Sequence, residues 1–338
     1  MSDSTHDILC IGRSSIDLYS SDIGAPFEEI TAFSAFVGGC PTNISVGTRR
    51  LGLRSALLTG VGVDPVGDFI LHFLKREGVE TGWVARKEGR RSSAVILGIE
   101  PPDKFPLVYY RDNCADIALD MEDIRNVPIE QFRAILISGT GLSLDPSRSA
   151  TLYAAERARE NGVKVFLDID FRADQWASLQ TFGTTIRAAL PYVNYVIGTS
   201  EEVKAAAYSG SGEAEISHSQ VNESRVEADV EQSVERLLAR GPEVLFLKTG
   251  AEGCIIHYGG TKSAEIAAGY PVEIINTLGA GDAFASGLIY GFIQGWEWHQ
   301  SARFGNACGA IVVTRHGCAN FMPTVKEVEA FVSGKGGL

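Results

Sequence analysis

The sequence lacks the clustered basic residues that a nucleic-acid-binding surface needs. It has 30 Lys and Arg residues against 42 Asp and Glu residues, which gives a formal net charge of −12. Because neutralising phosphates requires Lys and Arg in clusters, this composition argues against a nucleic-acid partner. Any anionic ligand must therefore be held by local groups.

The sequence also lacks the cysteine spacings of metal and redox sites, and it has no long apolar run. Its six cysteines form no CxxC pair and no Cys/His ligand pattern, and several lie in apolar runs such as DILCIG. No run reaches the ~18 apolar residues of a membrane span, and the N-terminal MSDSTHDILC does not resemble a signal peptide. We therefore expect buried free thiols in a cytoplasmic protein with no membrane partner.

Short apolar runs alternate with longer amphipathic segments. The runs are DILCIG, SALLTGVG, AVILGI, AILISG, VKVFLDID, NYVIG, EVLFLKTG and GCIIHY, and segments such as EQSVERLLARG have helical periodicity. This alternation predicts an α/β fold with a mostly parallel sheet and helices on both faces. We expect one domain over residues 6–330, with ligands beyond the carboxyl ends of the strands.

Three stretches depart from that pattern. The regions of about 13–40 and 92–114 contain segments in which apolar and polar residues alternate, and both contain turn residues. In the second region PPDK lies between two apolar runs, as the turn of a hairpin would. Together the two regions predict a separate small antiparallel sheet. Residues 209–229 are polar and aperiodic, which predicts a long surface loop.

The segment NTLGAGDAFASGLI places small residues directly before Asp282, where an apolar helix is predicted to begin. A helix start presents unpaired N–H groups and the positive end of the helix dipole, so it favours phosphate. The segment fits neither GxGxxG, because Phe284 stands at the third glycine position, nor a Walker A loop. We expect the amide dipoles to keep Asp282 ionised and able to accept a proton from an attacking hydroxyl. The alternative is that Asp282 only caps the helix.

Two motifs together resemble the ribokinase-like, PfkB-type carbohydrate kinases. These are the segment before Asp282 and VGGCPTNISVGTRRLG near the N-terminus, and the resemblance runs from about Ile8 to the MPT at 322–324. It implies a ribokinase-like fold, an ATP-dependent sugar kinase, and a lid built from residues 13–40 and 92–114. It also implies that Asp282 is the catalytic base and that the amides of Gly279, Ala280 and Gly281 form an anion hole.

The same resemblance implies metal ions and marks one departure. Phosphate chemistry implies Mg²⁺, and the family allows a monovalent cation. Asn276 stands where the family has its first Asp, which removes a negative charge from the expected phosphate region.

By the resemblance, the sugar contacts are Asp17, after the first strand, with Gly38, Gly39 and Asn43 of the N-terminal motif. The glycines would let the backbone approach the sugar, and the amide of Asn43 can both donate to and accept from hydroxyls.

Two arginines favour an acidic sugar as the substrate. Arg111 follows LVYY, and Asp170 and Arg172 follow another strand. A guanidinium matches a carboxylate, which a neutral hexose lacks, although a solvated surface position is the common fate of a single Arg. These segments resemble the subgroup that phosphorylates 5-dehydro-2-deoxygluconate in myo-inositol breakdown, where Asn is also expected at position 276.

The nucleotide side is expected in three segments. In YVIGTSEEVKA, Glu202 matches the family's metal-site Glu while Thr199 replaces an Asn; a surface Glu is the alternative. LFLKTGAEGCIIHY resembles the ATP loop, unless it is a plain hairpin turn. The helix near the C-terminus offers an adenine-side contact, unless it only packs. The predicted nucleotide-binding residues are Lys248, Thr249, Gly250, Gly253 and Asn306.

Other interpretations stay open. The enzyme could instead be a kinase whose substrate is 2-keto-3-deoxygluconate, fructose or a nucleoside. A different class would be a catalytically silent sugar- or nucleotide-binding protein. Exposed strands of the lid would favour a homodimer.

Overall fold

The computed structural model of the protein describes residues 5–100, 104–210, 214–216 and 224–338. Within these ranges the strands are β1 (His6–Ile11), β2 (Ser15–Ser20), β3 (Phe33–Gly38), β4 (Ser55–Leu58), β5 (Gly60–Gly62), β6 (Ala85–Lys87), β7 (Ser93–Leu97), β8 (Leu107–Tyr110), β9 (Phe132–Ser138), β10 (Lys164–Asp168), β11 (Tyr195–Thr199), β12 (Ala214–Ile216), β13 (Ser224–Val226), β14 (Val244–Lys248), β15 (Gly253–Tyr258) and β16 (Ala264–Ala268).

The α-helices connect most of these strands. They are α1 (Cys40–Arg50), α2 (Pro65–Glu77), α3 (Met121–Arg125), α4 (Ser147–Glu160), α5 (Leu179–Ala189), α6 (Ser200–Ala207), α7 (Val230–Leu238), α8 (Ala280–Gln294), α9 (Trp298–Val312) and α10 (Val325–Ser333). Across the described ranges, none of the helices has the length and apolar character to cross a lipid bilayer.

The main sheet has eight strands in the order β16-β15-β14-β11-β10-β9-β1-β4. The pairings from β14 to β4 are parallel, and β15 and β16 join antiparallel at one edge. The prediction of a mostly parallel sheet is therefore confirmed. The sequence reading did not include β16, because four of its five residues are exposed and it forms no apolar run.

The two faces of the sheet belong to different hydrophobic clusters. Along β1, Leu9 and Ile11 pack into one cluster while Ile8 and Cys10 pack into the other. Side chains of a strand point alternately to opposite faces, so a strand covered by helices on both sides is apolar throughout. This is why the parallel strands were recognisable as short continuous apolar runs.

A separate four-stranded sheet forms from the two irregular N-terminal regions, in the order β3-β2-β7-β8. The pairs β2–β3 and β7–β8 are antiparallel, as predicted, and the central pair β2–β7 is parallel. The expected PPDK turn between β7 and β8 lies mostly outside the described residues. Within 209–229, β12 and β13 pair antiparallel where a loop was expected, and residues 211–213 and 217–223 lie outside the description.

Candidate active site

The carboxyl ends of the parallel strands bring polar residues to one edge of the main sheet. Arg13 follows β1, Asp168 ends β10 and Asp170 follows it, Thr199 ends β11, and Lys248 ends β14. Parallel strands end at the same edge, so residues far apart in the chain meet there. Asp168 and Arg13 were not among the residues that the sequence analysis selected, although each lies at or just after the end of a buried strand, as Asp170 does. Asp17, expected after the first strand, lies within β2.

Helix α8 begins at this edge without a capping side chain. Its N-cap is Gly279, with φ of 79°, and Asp282 is the third helical residue. The capping role considered for Asp282 is therefore wrong. Gly279 has a positive φ that favours glycine, and a Cβ there would also lie 3.0 Å from the Cys318 sulfur. A Cβ on Gly281 would lie 3.0 Å from the Lys248 ammonium. Small residues thus let two other segments approach the helix start.

The side chain of Asp282 accepts a 2.7 Å hydrogen bond from Nδ2 of Asn43, at the start of α1. Burial raises the pKa of Asp282 to about 6, opposed by that hydrogen bond, with the nearby negative charge of Asp170 adding to the increase. The expected ionised carboxyl at neutral pH is compatible with this value, although burial raises the pKa above the ordinary value of an aspartate. A pKa near 6 suits a general base at neutral pH, since the group is mostly ionised there but can still hold a proton.

A cavity beside Asp282 brings most of the predicted sugar-side residues together. Its lining includes Asp17, Gly39, Asn43, Asp170, Arg172, Gly279 and Asp282, and also Arg13. Side chains of the small sheet close one side, among them Tyr19 from β2, Val95 and Leu97 from β7, and Leu107 and Tyr109 from β8. The cavity therefore lies between the edge of the main sheet and one face of the small sheet.

The paired glycines have a different local role from the one expected. A Cβ on Gly38 would lie 1.9 Å from the Asp17 carboxylate, and one on Gly39, whose φ is 106°, would lie 2.4 Å from the carbonyl oxygen of Arg13. Their missing side chains make room for Asp17 and for the chain after β1. Gly39 also lines the cavity, whereas Gly38 is not in its lining and packs against the Asp17 carboxylate.

Asp170 is held in an unusual backbone conformation, with φ of 36°. Its carboxylate accepts a 2.8 Å hydrogen bond from the Thr140 hydroxyl and pairs with the Arg172 guanidinium at 3.2 Å. Non-glycine residues rarely adopt positive φ, and such strain persists where surrounding contacts fix it. Asp170 and Arg172 thus reach the cavity as one ion pair.

The structure does not bring Arg111 into this cavity. Its guanidinium pairs with Asp116 at 2.7 Å and donates to the Thr140 carbonyl at 3.0 Å, to the Ser143 hydroxyl at 3.2 Å and to Gln175. Arg111 lines a second, neighbouring cavity instead. The expectation of direct sugar contact is corrected to a supporting position, because these partners occupy its donors.

On the nucleotide side, Lys248 lies between two carboxylates, 3.8 Å from Asp168 and 3.6 Å from Glu202. Burial raises the pKa of Asp168 to about 8, against the attraction of Lys248. Burial also acts to raise the pKa of Glu202, but Lys248 and other partners outweigh it and the pKa is lowered. Glu202 forms a capping box with the exposed Thr199, and its own side chain is only 14% exposed, so it is not the surface Glu of the alternative.

The segment from Thr249 to Gly253 is a tight turn between β14 and β15, closed by a 2.9 Å hydrogen bond from the Thr249 N–H to the Gly253 carbonyl. Gly250 has φ of 65°, and a Cβ on Gly253 would lie 2.3 Å from the carbonyl oxygen of Ala267. The hairpin interpretation is confirmed in its geometry. Nucleotide contacts of this turn stay a prediction.

Asn306 on α9 donates to the carbonyl oxygens of Ala267 and Ala268, at 2.8 and 3.0 Å. Its amide N–H groups therefore join α9 to the edge strand β16. This supports the packing alternative for Asn306 over an adenine contact made through its Nδ2.

Comparison with known proteins agrees with this geometry. Residues 5–325 match the model of the pfkB family carbohydrate kinases. The 5-dehydro-2-deoxygluconokinase of Geobacillus thermodenitrificans is 34% identical over 329 residues, covering 96% of this chain and 93% of that protein. The enzyme of the same name from Bacillus subtilis is 31% identical over 332 residues, which cover 97% of this chain and 96% of that protein.

Solved structures share the fold at lower identity. A fructokinase double mutant from Vibrio cholerae, solved with fructose, ADP and potassium, superposes with a TM-score of 0.82 at 24% identity, covering 98% of this chain and 99% of that one. A fructokinase from Xylella fastidiosa with bound ATP superposes with a TM-score of 0.83 at 22% identity, covering 97% of this chain and 98% of that one. Together with the sheet order and the carboxylate at the start of α8, the match over nearly the whole sequence shows that this chain belongs to the pfkB family of carbohydrate kinases and is an ATP-dependent sugar kinase.

Proposed function

We propose that this kinase transfers phosphate from ATP to the primary hydroxyl of a sugar acid, 5-dehydro-2-deoxygluconate, in myo-inositol catabolism. The observation that carries the proposal is the pair formed by Asp282 and Asn43 at the wall of a cavity that also contains two arginines. The names of the relatives at 31–34% identity support the choice of substrate.

Asp282 acts as the general base. The proton of the primary hydroxyl moves to its carboxylate, and the sugar oxygen forms a bond to the γ-phosphorus of ATP. The bond between that phosphorus and the β–γ bridging oxygen breaks, and ADP leaves with the electron pair. The product is a 6-phosphate. The amides of Gly279, Ala280 and Gly281 stabilise the negative charge on the phosphoryl group during transfer. This role is favoured because no side chain caps the start of α8.

The sugar is held by Asp17, Asn43, Asp170 and Arg172. The carbonyl oxygen of the Asn43 side chain is buried without a hydrogen-bond partner in the described structure, so it is available to a sugar hydroxyl. The small sheet acts as a lid, since side chains of β7 and β8 already line the cavity. Closing the lid excludes water and favours transfer over hydrolysis of ATP.

ATP binds beside Lys248 and the turn of Thr249, Gly250 and Gly253. Glu202 and Asp168 are the carboxylates suited to hold Mg²⁺, because both are oxygen donors and one Asp168 oxygen is buried without a hydrogen bond. Bound Mg²⁺ supplies neutralisation of the phosphate charge. A monovalent cation stays part of the proposal by family analogy alone.

The test is an ADP-release assay with MgATP and four acceptors: 5-dehydro-2-deoxygluconate, 2-keto-3-deoxygluconate, fructose and ribose. The Asp282→Asn variant is run beside the wild type, with Asp229→Asn as control, because Asp229 caps α7 and does not line the cavity. We expect turnover of 5-dehydro-2-deoxygluconate that falls about 10²–10⁴-fold in Asp282→Asn and is retained in the control.

Each other outcome has a defined meaning. Turnover of 2-keto-3-deoxygluconate alone moves the specificity to that acid, and turnover of only fructose or ribose contradicts an acidic substrate. Binding of sugar and ATP without phosphate transfer would identify a silent binding protein.

We also propose a homodimer through the lid. Val108 and Tyr110 of β8 are exposed, while Leu107 and Tyr109 of the same strand face the cavity. An exposed apolar strand face favours pairing with a second copy. Sedimentation of the wild type against Tyr110→Glu tests it, and a monomeric wild type would contradict it. A cytoplasmic location stays a prediction, with which the six buried free thiols agree.

A further inference from the structure

Arg13 lies at the wall of the cavity and is almost completely buried. Only 6% of the surface of Arg13 is exposed, and the residue follows the carboxyl end of β1. The backbone there is fixed, because the Thr42 hydroxyl donates to the Arg13 carbonyl at 3.0 Å and Gly39 packs against the same carbonyl. The side chain is therefore delivered to the cavity by rigid elements.

Most donors of Arg13 have no hydrogen-bond acceptor among the described residues. A guanidinium carries five N–H donors. Nη1 donates to the Ser15 hydroxyl at 3.0 Å, and Nε is buried without a hydrogen-bond partner. None of the ion pairs found within the described ranges includes Arg13. Arg111 offers the contrast, since it pairs with Asp116 and donates to three further groups.

Among the described residues, no carboxylate lies within ion-pair distance of Arg13, although, against the effect of burial, Asp17 and Asp170 are near enough to raise its pKa. Arg172 already pairs with Asp170 at 3.2 Å. Arg13 reaches Asp17 only through Ser15, whose hydroxyl donates to the Asp17 carboxylate at 2.6 Å. A buried charge is costly unless it is paired and hydrogen-bonded, and a neutral ligand would not supply that partner.

The ring of Tyr109 gives Arg13 a second fixed contact. The guanidinium carbon lies 5.4 Å from the centre of this ring, which belongs to β8 of the small sheet. Arginine stacks on aromatic faces while its edge N–H groups remain available to a planar acceptor. Arg13 is thus placed between the main sheet and the lid, where a bound sugar would be enclosed.

We propose that Arg13, rather than Arg111, binds the carboxylate of the acidic sugar and sets the preference of the enzyme for acids over neutral sugars. This inference rests on the proposed function. It predicts that the acid group of the substrate lies toward β1 and Tyr109, at the end of the sugar away from the hydroxyl that reaches Asp282.

The experiment compares the acid, 5-dehydro-2-deoxygluconate, with its neutral methyl ester in wild type, Arg13→Gln and Arg13→Lys. We expect Arg13→Gln to raise KM for the acid about 10- to 100-fold, as loss of charge-assisted hydrogen bonds implies, and to change KM for the ester less than about 3-fold. Arg13→Lys keeps the charge and should retain part of the preference for the acid.

Ser15→Ala and Arg111→Lys are the matched controls. Ser15→Ala breaks the link between Arg13 and Asp17, and it should leave the ratio of acid to ester unchanged if Arg13 binds the acid directly. Arg111→Lys should lower thermal stability and also leave that ratio unchanged. If Arg13 only positions Asp17, Arg13→Gln and Ser15→Ala will weaken acid and ester equally.

The outcomes separate this inference from the proposed function. An active wild type whose preference for the acid survives in Arg13→Gln, or is lost in Arg111→Lys instead, overturns the assignment of Arg13 alone. A wild type that phosphorylates only neutral sugars overturns both. If Arg13→Gln does not fold, a reduced preference for the acid in Arg13→Lys supports the assignment, and an undiminished preference in that variant counts against it.

Discussion

Asn43 and Asp282 are 239 residues apart in the chain and are joined by a 2.7 Å hydrogen bond between the starts of α1 and α8. One residue comes from each of the two sequence motifs, so the bond unites them in one site. Asn43 opposes the effect of burial on the pKa of Asp282. The amide therefore orients the proposed base and also helps to keep it ionised.

Replacing Asn43 by Ala should impair catalysis through Asp282. A hydrogen bond to a charged group contributes about 1.5–3 kcal/mol, so we expect kcat/KM to fall about 10- to 100-fold. The acidic limb of the pH–rate profile should move above pH 6, because a contact that lowers the pKa of Asp282 is gone. Asn126→Ala is the control, since this amide only donates to a helix carbonyl at the surface. An unshifted acidic limb would contradict the orienting role.

The wild-type enzyme should lose activity in acid with a midpoint of about pH 6. A general base works only when deprotonated, and burial raises the pKa of Asp282 to about 6. The measurement is kcat/KM for the sugar between pH 5 and 8. A flat profile across pH 5–7 would mean that another group accepts the proton.

Asp282→Asn should stabilise the protein while it removes activity. A carboxyl with a folded pKa of about 6 and an unfolded value of 3.8 favours folding fully below pH 3.8, and this contribution is lost as the pH rises through 6. At pH 7.5 the variant avoids a cost of at most about 3 kcal/mol, and its Tm should rise. At pH 4 the two proteins should melt nearly together. An equal Tm at pH 7.5 would argue that ionised Asp282 carries no such cost.

Lys248→Met should destabilise the protein more at pH 8 than at pH 5. The ammonium lies within 4 Å of both Asp168 and Glu202, and Asp168 has a pKa of about 8. At pH 5 Asp168 is neutral and gains little from Lys248, whereas at pH 8 about half of the wild-type Asp168 is ionised and attracted by the ammonium, and the variant loses that attraction. Thermal melts at both pH values test this, with Lys262→Met as the control because the Lys262 side chain is 92% exposed. We also expect a higher KM for ATP, by about 10-fold.

Gly38→Ala should weaken sugar binding without affecting ATP. The new Cβ would lie 1.9 Å from Oδ2 of Asp17, so that carboxylate must move. We expect KM for the sugar to rise at least about 10-fold, since a contact to a charged group is displaced. Gly334→Ala is the matched control, because its Cβ would meet only ordinary contacts of 3.6 Å or more. An unchanged KM for the sugar would remove Asp17 from the binding site.

Local patterns predicted much of the fold and part of the site. The parallel strands were visible because both of their faces are buried and their residues are apolar throughout. The edge strand β16 was missed because it is mostly exposed, and the parallel pairing of β2 with β7 has no local signature. Asp282 and Asn43 were found through motifs, which record residue type and spacing.

The sequence by itself determined the α/β architecture and the start of α8, because these depend on periodicity and on neighbouring residues, and the resemblance of two motifs to the family marked Asp282 as the proposed base. Only the tertiary structure decided which arginine faces the cavity, why Gly38 and Gly39 lack side chains, and what Lys248 contacts. Arg13 and Arg111 have the same chemistry, and they differ only in the partners that distant segments bring to them. The shifted pKa of Asp282 likewise follows from burial and surrounding charge, which exist only once the chain has folded.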